Sequence, residues 1–393
     1  MKLLTFSTLF PNSVRPNHAI FVETRLRYLV ASGKASARVV APVPYFPSTD
    51  ERFGSYAKFA RVPRFETRNG LDVAHPRYFH LPKIGMNLAP GFMTRAMKPV
   101  IARMLDEGHD FDLIDAHYFY PDGVAATALG RYFNKPVVIT ARGSDITLIP
   151  QHSAPRRMIL EAAASAAASI TVCNALKVGL TELGADPGKI VSLRNGVDLQ
   201  RFQPGDRAAL RKELGMTGLT LISVGNLLPV KGHDLTIRAL TLMPDASLWI
   251  AGAGPEQASL EALAAELGVA SRVRFLGSVP NAELHRYYSA ADAMVLASSR
   301  EGWANVLLES MACGTPVVAT RVWGTPEVVT APAAGILMDE RTPAGLADAV
   351  ARLRANYPDH AATRRYAEGY SWDDTTNGQL ALFEKILNGR RRR

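Results

Sequence analysis

Cysteine is nearly absent: Cys173 and Cys313 are the only two in 393 residues. At most one bridge can form, so no disulfide framework holds the chain, and a reducing cytoplasm is expected. Both thiols stand among apolar neighbours and read as small core hydrophobes. Long apolar runs are also missing, and none approaches the roughly 20 residues that cross a bilayer. The opening Met1-Lys2-Leu3-Leu4-Thr5-Phe6-Ser7 is too short for a signal peptide. It runs into Pro11-Asn12 without a small-residue cleavage pattern, and reads as a first buried strand. No repeat with a period of about 20–50 residues appears, which argues against a solenoid. No His/Cys/Asp spacing marks a metal site. Asp110-Phe111-Asp112 spells D-x-D but precedes a strand, so it reads as a solvated turn, as does Asp373-Asp374.

What is present is ordinary for a globular protein: 47% hydrophobic and 21% charged residues, over a length that allows two domains with proper cores. Charge is uneven. Residues 1–195 hold 24 basic and 15 acidic side chains, whereas the remainder holds 21 of each. Within 52–103 there are 10 basic residues against Glu66 and Asp72. Such a local excess fits an anionic membrane surface or a phosphorylated substrate, with a solvated face as the bland reading. No nucleic-acid-binding motif accompanies it, so no nucleic-acid partner is expected. The Arg390–Arg393 run reads as an exposed, disordered tail.

Strand and helix patterns alternate twice along the chain. In the first half, strands are expected at Leu3–Ser7, Ala37–Ala41, Leu113–His117, Val137–Thr140, Ser169–Cys173 and Ile190–Leu193. In the second they are expected at Leu219–Val224, Ser247–Ala251, Val273–Leu276, Ala293–Leu296 and Pro316–Ala319. Continuous apolar strands with helices between them predict parallel sheets covered on both faces. The fold class is therefore α/β, with two doubly wound Rossmann-like domains. Residues 43–105 break the rhythm and show no period. Within them, Met86–Leu105 reads equally as a helix at a membrane interface or as one packed on its own core with snorkelling basic residues.

The stretch Glu301-Gly302-Trp303-Ala304-Asn305-Val306-Leu307-Leu308-Glu309 places two carboxylates eight residues apart. Leu307, Leu308 and Met311 give a helix its apolar face, and Gly314 with Pro316 ends it. A helix starting near Asn305 turns free N–H groups toward the loop of Glu301, where an anion gains about 0.3–1 kcal/mol. Carboxylates at both ends of an anion site suit a ligand with hydroxyls at each end and phosphates between, as a nucleotide-sugar has. A surface loop with one helical carboxylate is the bland alternative.

The run EGWANVLLESMACGTPVVA resembles the E-x7-E segment of the retaining family-four glycosyltransferases, usually close to EGFGLPLLEAMACGTPVVA. Arg194-Asn195-Gly196-Val197-Asp198 through Pro204 is similar to that family's domain junction. The resemblance implies the GT-B fold, two Rossmann-like domains facing a cleft. Residues 1–195 would bind acceptor and 196–371 the nucleotide-sugar, and a last helix near 372–388 would pack back on the first domain. It implies that Glu301 meets the donor sugar, Glu309 the ribose, and the backbone of Gly302, Trp303, Ala304, Asn305 and Val306 the diphosphate. Val279, after the Val273–Leu276 strand, is expected near the base.

Other positions follow. Gly225 permits a tight exit from its strand, and Lys231 offers a compact charge for phosphate. The family usually places Arg where this chain has Asn226. Ala251-Gly252-Ala253-Gly254 marks another strand exit, a weak signal alone. His117 ends a strand and can donate to a hydroxyl or phosphate, a buried structural histidine being its bland alternative. Arg142 stands where relatives commonly have His, and is expected to bring a cation to the phosphates from across the cleft. Asn17 and His18 are candidate acceptor contacts.

The expectation is a glycosyltransferase with retention by front-face transfer, acting without metal or other cofactor on a nucleotide-sugar, UDP favoured over GDP. Its acceptor would be lipid-linked or a polysaccharide, and its place the inner face of the membrane. The rivals are a catalytically silent nucleotide-sugar-binding protein, and an epimerase or phosphorylase on the same architecture.

Overall fold

The computed structural model describes residues 1–81 and 85–391, so Lys83 and the last two arginines lie outside the described residues. Two compact units emerge. Unit 1 is Met1–Arg194 with the C-terminal helix Asp373–Arg391, and unit 2 is Asn195–Trp372.

Unit 1 holds β1 (Lys2–Phe6), β2 (Ser36–Val40), β3 (Val43–Pro44), β4 (Phe65–Arg68), β5 (Leu71–Ala74), β6 (Arg77–Tyr78), β7 (Leu113–His117), β8 (Val137–Ala141), β9 (Ala168–Thr171) and β10 (Ile190–Ser192). The main sheet runs β10-β9-β8-β7-β1-β2-β5-β4. All neighbours pair parallel except β4 with β5. The direction of winding reverses between β1 and β7, so the loops leaving those strands diverge and open a crevice at their carboxyl ends. Strands such as Val137-Val138-Ile139-Thr140-Ala141 are buried along their whole length, which is why they are apolar without alternation.

The described residues within 43–105 carry regular elements where the sequence showed no period. Asn69-Gly70, with φ of 48° and 79°, closes the β4–β5 hairpin and adds an antiparallel edge. Both turn residues need the left-handed region, which Asn and Gly tolerate best. The helix Ala89–Asp106 buries Met93, Met97 and Ile101 in unit 1, so that face is core. The expected disorder of the Arg tail is corrected at Arg390. The last helix continues to Arg391, and Arg390 donates to the backbone and side-chain oxygens of Asn134.

Unit 2 holds β11 (Leu219–Val224), β12 (Ala246–Ala251), β13 (Val273–Gly277), β14 (Ala293–Leu296), β15 (Val317–Ala319) and β16 (Gly335–Leu337), in the order β13-β12-β11-β14-β15-β16. Every pairing is parallel, and the switch falls between β11 and β14. Among the described residues no helix is long and apolar enough to cross a membrane.

The last helix is part of unit 1's core. Leu380 and Phe383 pack in one cluster with Leu3, Val22, Leu26 and Leu113. Phe383→Ala is expected to destabilise unit 1 by about 3–5 kcal/mol, read as a lowered denaturant midpoint for that unit with unit 2's transition unmoved.

Candidate functional site

In unit 2 the loops after β11 and β14 are tied together at the switch point. Ser299 N donates to Val230 O at 2.9 Å, and Thr320 Oγ1, just past β15, steadies the β14 loop by donating to Ser298 O at 2.7 Å. Gly232 takes φ 68°, and a Cβ there would meet Ala297 O at 2.2 Å, so only glycine lets these loops approach. Lys231, one residue before, is thereby aimed at the second loop. Its Nζ lies 2.6 Å from Glu301 Oε1, and Ser298 Oγ donates to the same oxygen at 2.7 Å. Glu301 is mostly buried and Lys231 somewhat less so. The pair therefore holds an oriented carboxylate next to a cation, with Glu301 Oε2 still able to accept.

The helix Asn305–Ala312 begins four residues past Glu301. Asn195 Nδ2 donates to Asn305 Oδ1 at 3.2 Å, which ties the junction to the helix start. Trp303 and Ala304 are buried, while Gly302, Asn305 and Val306 are half-buried. The Trp303 and Tyr370 ring centroids lie 6.3 Å apart. Glu309, one turn on, is half-buried and accepts from Tyr288 Oη at 3.1 Å. Loss of water pushes its carboxyl up to about 7, against the pull of the Tyr288 hydrogen bond and of Arg201. The structure thus separates the two carboxylates: Glu301 is paired with a cation, Glu309 with a neutral phenol. Asn226 is exposed, and its carbonyl faces His233 Nε2 at 3.3 Å. Gly225 and Val279 follow β11 and β13 at the same edge of the sheet and are half-buried. A Cβ on Gly252, after β12, would meet Gly225 O at 1.8 Å, so these two strand exits touch.

Unit 1 gathers charge at its own switch point. Ser7 Oγ, just past β1, donates to His117 O at 2.9 Å, joining the ends of β1 and β7. Asp115 and His117 point to one face of β7 because they are two residues apart. Tyr118 follows in the left-handed region at φ 84°, an uncommon place for a tyrosine. Arg142 leaves β8 beside them. Its Nη2 sits 2.5 Å from His117 Nδ1, and its guanidinium lies over the Phe21 ring at 5.3 Å. His117 Nε2 faces Asp115 Oδ2 at 3.3 Å. Burial above all pushes His117 down to about 4, with Asp115 opposing and Arg142 assisting, so the ring is neutral at pH 7. Burial also lowers Arg142, with Arg25 adding to it and Asp115 and Asp145 opposing.

Several of these partners carry no role in the sequence reading. Asp145 accepts from the backbone N–H of Arg142, Gly143 and Phe119 and so shapes the loop that carries Arg142. Asp122 is fully buried and accepts from Thr8 Oγ1 at 2.8 Å, and burial pushes it up to about 8, so it is protonated at pH 7. The only usable signal was Asp115, two residues before His117 on a strand. Asn17 is exposed and His18 half-buried, in the loop before the helix Ile20–Ala31. Burial and Arg15 push His18 down to about 4. Asp112 and Asp110 lie at the opposite edge of the sheet, bonded to Lys2 N and Lys135 Nζ at 2.7 Å each. Among the described residues no group of three or more His, Cys, Asp or Glu could hold a metal ion.

Two family descriptions match the chain: "Glycosyl transferases group 1" over residues 206–370, and "Glycosyltransferase Family 4" over 20–201. The D-inositol 3-phosphate glycosyltransferase of Acidothermus cellulolyticus is 36% identical over 313 residues, 72% of this chain and 68% of that protein. The protein of the same description from Geodermatophilus obscurus is 34% identical over 350 residues, 82% of this chain and 77% of its own. Among solved structures, sucrose-phosphate synthase from Thermosynechococcus elongatus superimposes with a TM-score of 0.82 at 20% identity, covering 99% of both chains. Anabaena HepE, solved with UDP and glucose, gives 0.73 at 20% identity, covering 97% of this chain and 98% of that one. These likenesses establish a GT-B architecture.

The raised Glu309 carboxyl sets a pH signature. The folded state holds a proton there that the unfolded state releases from its ordinary value of 4.5 upward. Stability from this group is therefore present below about pH 4.5 and lost as pH rises toward 7. Glu309→Gln is expected to flatten that decline in a series of denaturant melts across the range. An unchanged slope would exclude Glu309 as its source.

Proposed function

We infer that this chain, which belongs to the group 1 glycosyl transferases, moves a hexosyl or N-acetylhexosaminyl group from a nucleoside-diphosphate sugar to a hydroxyl acceptor with retention at the anomeric carbon. The observation that carries the reading is the Lys231–Glu301 pair, held by Ser298 at the switch point of unit 2. Parallel sheets of this kind bind ligands at that edge. Lys231 takes the diphosphate together with the backbone of Gly302–Val306, and shares its charge with Glu301. Glu301 Oε2 accepts from a sugar hydroxyl. Glu309 accepts from the ribose hydroxyls, and Gly225, Asn226 and Val279 line the remaining nucleotide.

In the step itself the bond from the anomeric carbon to the diphosphate oxygen breaks. The acceptor oxygen bonds that carbon from the same face, and its proton passes to the departing phosphate. Lys231 and the start of the helix Asn305–Ala312 stabilise the charge that develops on the leaving group. This set requires no metal ion, so turnover is expected to survive a chelator. In unit 1, His117 and Arg142 are proposed as catalytic, and Asn17 and His18 are proposed for the acceptor.

UDP is favoured as the nucleotide, since HepE was solved with it. The acceptor we favour is a lipid-linked or polysaccharide glycan at an anionic membrane on the cytoplasmic side. The basic excess of 52–103 and the exposed Phe79 and Leu88 support that placement. The description shared by the two relatives favours a second reading, a phosphorylated cyclitol as acceptor.

Two measurements test this reading. In hydrolysis of UDP-, GDP- and ADP-sugars, Glu301→Ala is expected mainly to lower kcat and Glu309→Ala mainly to raise donor KM. The reverse split would mean that the donor lies the other way round, and indifference of both would remove the donor site from unit 2. Flotation with phosphatidylglycerol vesicles should be salt-sensitive and weakened in Phe79→Ser, whereas binding that ignores lipid charge would favour the soluble cyclitol phosphate.

A further inference from the structure

Gln379 lies on the last helix, remote in sequence from every proposed site residue. Its side chain is 1% exposed, and both ends of its amide are engaged in the charge cluster of unit 1. Oε1 accepts from Arg25 Nε at 2.8 Å, and Nε2 donates to Asp115 Oδ2 at 3.2 Å. The amide accepts from a guanidinium and donates to a carboxylate at once without adding charge. The helix is seated closely enough to fix this geometry. Arg25 Nη1 donates to Leu193 O at 3.1 Å, and a Cβ on Gly378 would stand 2.6 Å from Leu193 Cδ2.

The contacts continue toward Arg142. The carboxylate oxygen that accepts from Gln379 also faces His117 Nε2 at 3.3 Å. On the other side of the ring, Nδ1 meets Arg142 Nη2 at 2.5 Å. A guanidinium only donates, so Nδ1 is the accepting nitrogen and the ring proton is on Nε2, toward Asp115. Asp115 Oδ2 stands 3.3 Å from that nitrogen without hydrogen-bond alignment, and its charge favours the tautomer that lets His117 accept from Arg142. Two buried arginines, 25 and 142, stand against two buried aspartates, 115 and 145. The neutral amide keeps that balance, which a carboxylate or a lysine at position 379 would upset.

We propose that Gln379 is a positioning residue for glycosyl transfer: standing between Arg25 and Asp115, it holds Asp115 beside His117, and through the His117 tautomer it aims the Arg142 guanidinium at substrate. Its final link rests on the transfer reading, whereas the tautomer link does not.

Nitrogen-15 NMR on histidine-labelled full-length protein tests both links. The chain has nine histidines, and the signal lost in His117→Gln assigns the ring. Wild type is expected to show the Nε2–H tautomer with a hydrogen-bonded Nδ1. Gln379→Met keeps the volume and removes both hydrogen bonds, so it should mix the tautomers and move the Nδ1 shift. With a UDP-sugar that the wild type turns over, its kcat should fall on the order of tenfold to hundredfold at nearly constant donor KM. Glu384→Gln, exposed on the same helix, should change neither readout. Asp115→Asn, on β7, should give the same NMR change if Gln379→Met folds poorly. A His117 signal indifferent to both variants overturns the proposal, and so does a mixed tautomer with unchanged kcat. Wild-type protein inert toward every UDP-, GDP- and ADP-sugar sinks the transfer reading instead, and the NMR result then decides the tautomer link by itself.

Discussion

A carboxylate drawn most of the way out of water must find a cation or hydrogen-bond donors, or take up a proton. Glu301 finds both partners on one oxygen, Lys231 and Ser298. That pair depends on the loops after β11 and β14 being pressed together, which depends in turn on Gly232 and on the parallel order of the sheet. A cation alone would neutralise phosphate anywhere on the surface. A cation locked to a carboxylate defines a direction, with phosphate toward one group and hydroxyls toward the other.

Unit 1 meets the same difficulty differently. Arg25, Asp115, Arg142 and Asp145 are buried together, and none has a bulk-water shell to fall back on. Charges of opposite sign cancel, His117 stays neutral, and Asp122 carries its proton. Removing one member leaves an uncompensated ion inside the domain, which is costlier than never having had the pair. The cluster therefore behaves as a unit, and single substitutions there are expected to couple rather than add.

The fold was legible because its signal is local. Strands such as Leu219–Val224 and Ala293–Leu296 are dominated by apolar residues, and their limits follow from composition. The stretch 43–105 was not legible, because its hairpin and edge strands are short and half exposed, although Asn69-Gly70 was a usable cue. The unit 2 candidates were legible in the 301–309 segment and the strand exits. Ser298 and Tyr288 were not, since a hydroxyl that steadies a carboxylate has no sequence pattern. From sequence Arg142 is expected to bring its charge to the phosphates, and its packing against His117 and Phe21 depends on tertiary proximity alone. Gln379 had no cue: 264 residues separate it from Asp115.

That separation has a consequence in time. The chain enters unit 2 at Asn195 and returns to unit 1 only at Asp373, so unit 1 is not contiguous along the chain. As the polypeptide is synthesised from its amino end, the whole of unit 2 must be made before Leu380 and Phe383 can cover Leu3, Val22 and Leu113. Until then the amino-terminal sheet presents an open apolar surface, and Arg25 and Asp115 lack the amide that sits between them. The order of the gene makes the first-born domain the last to be completed.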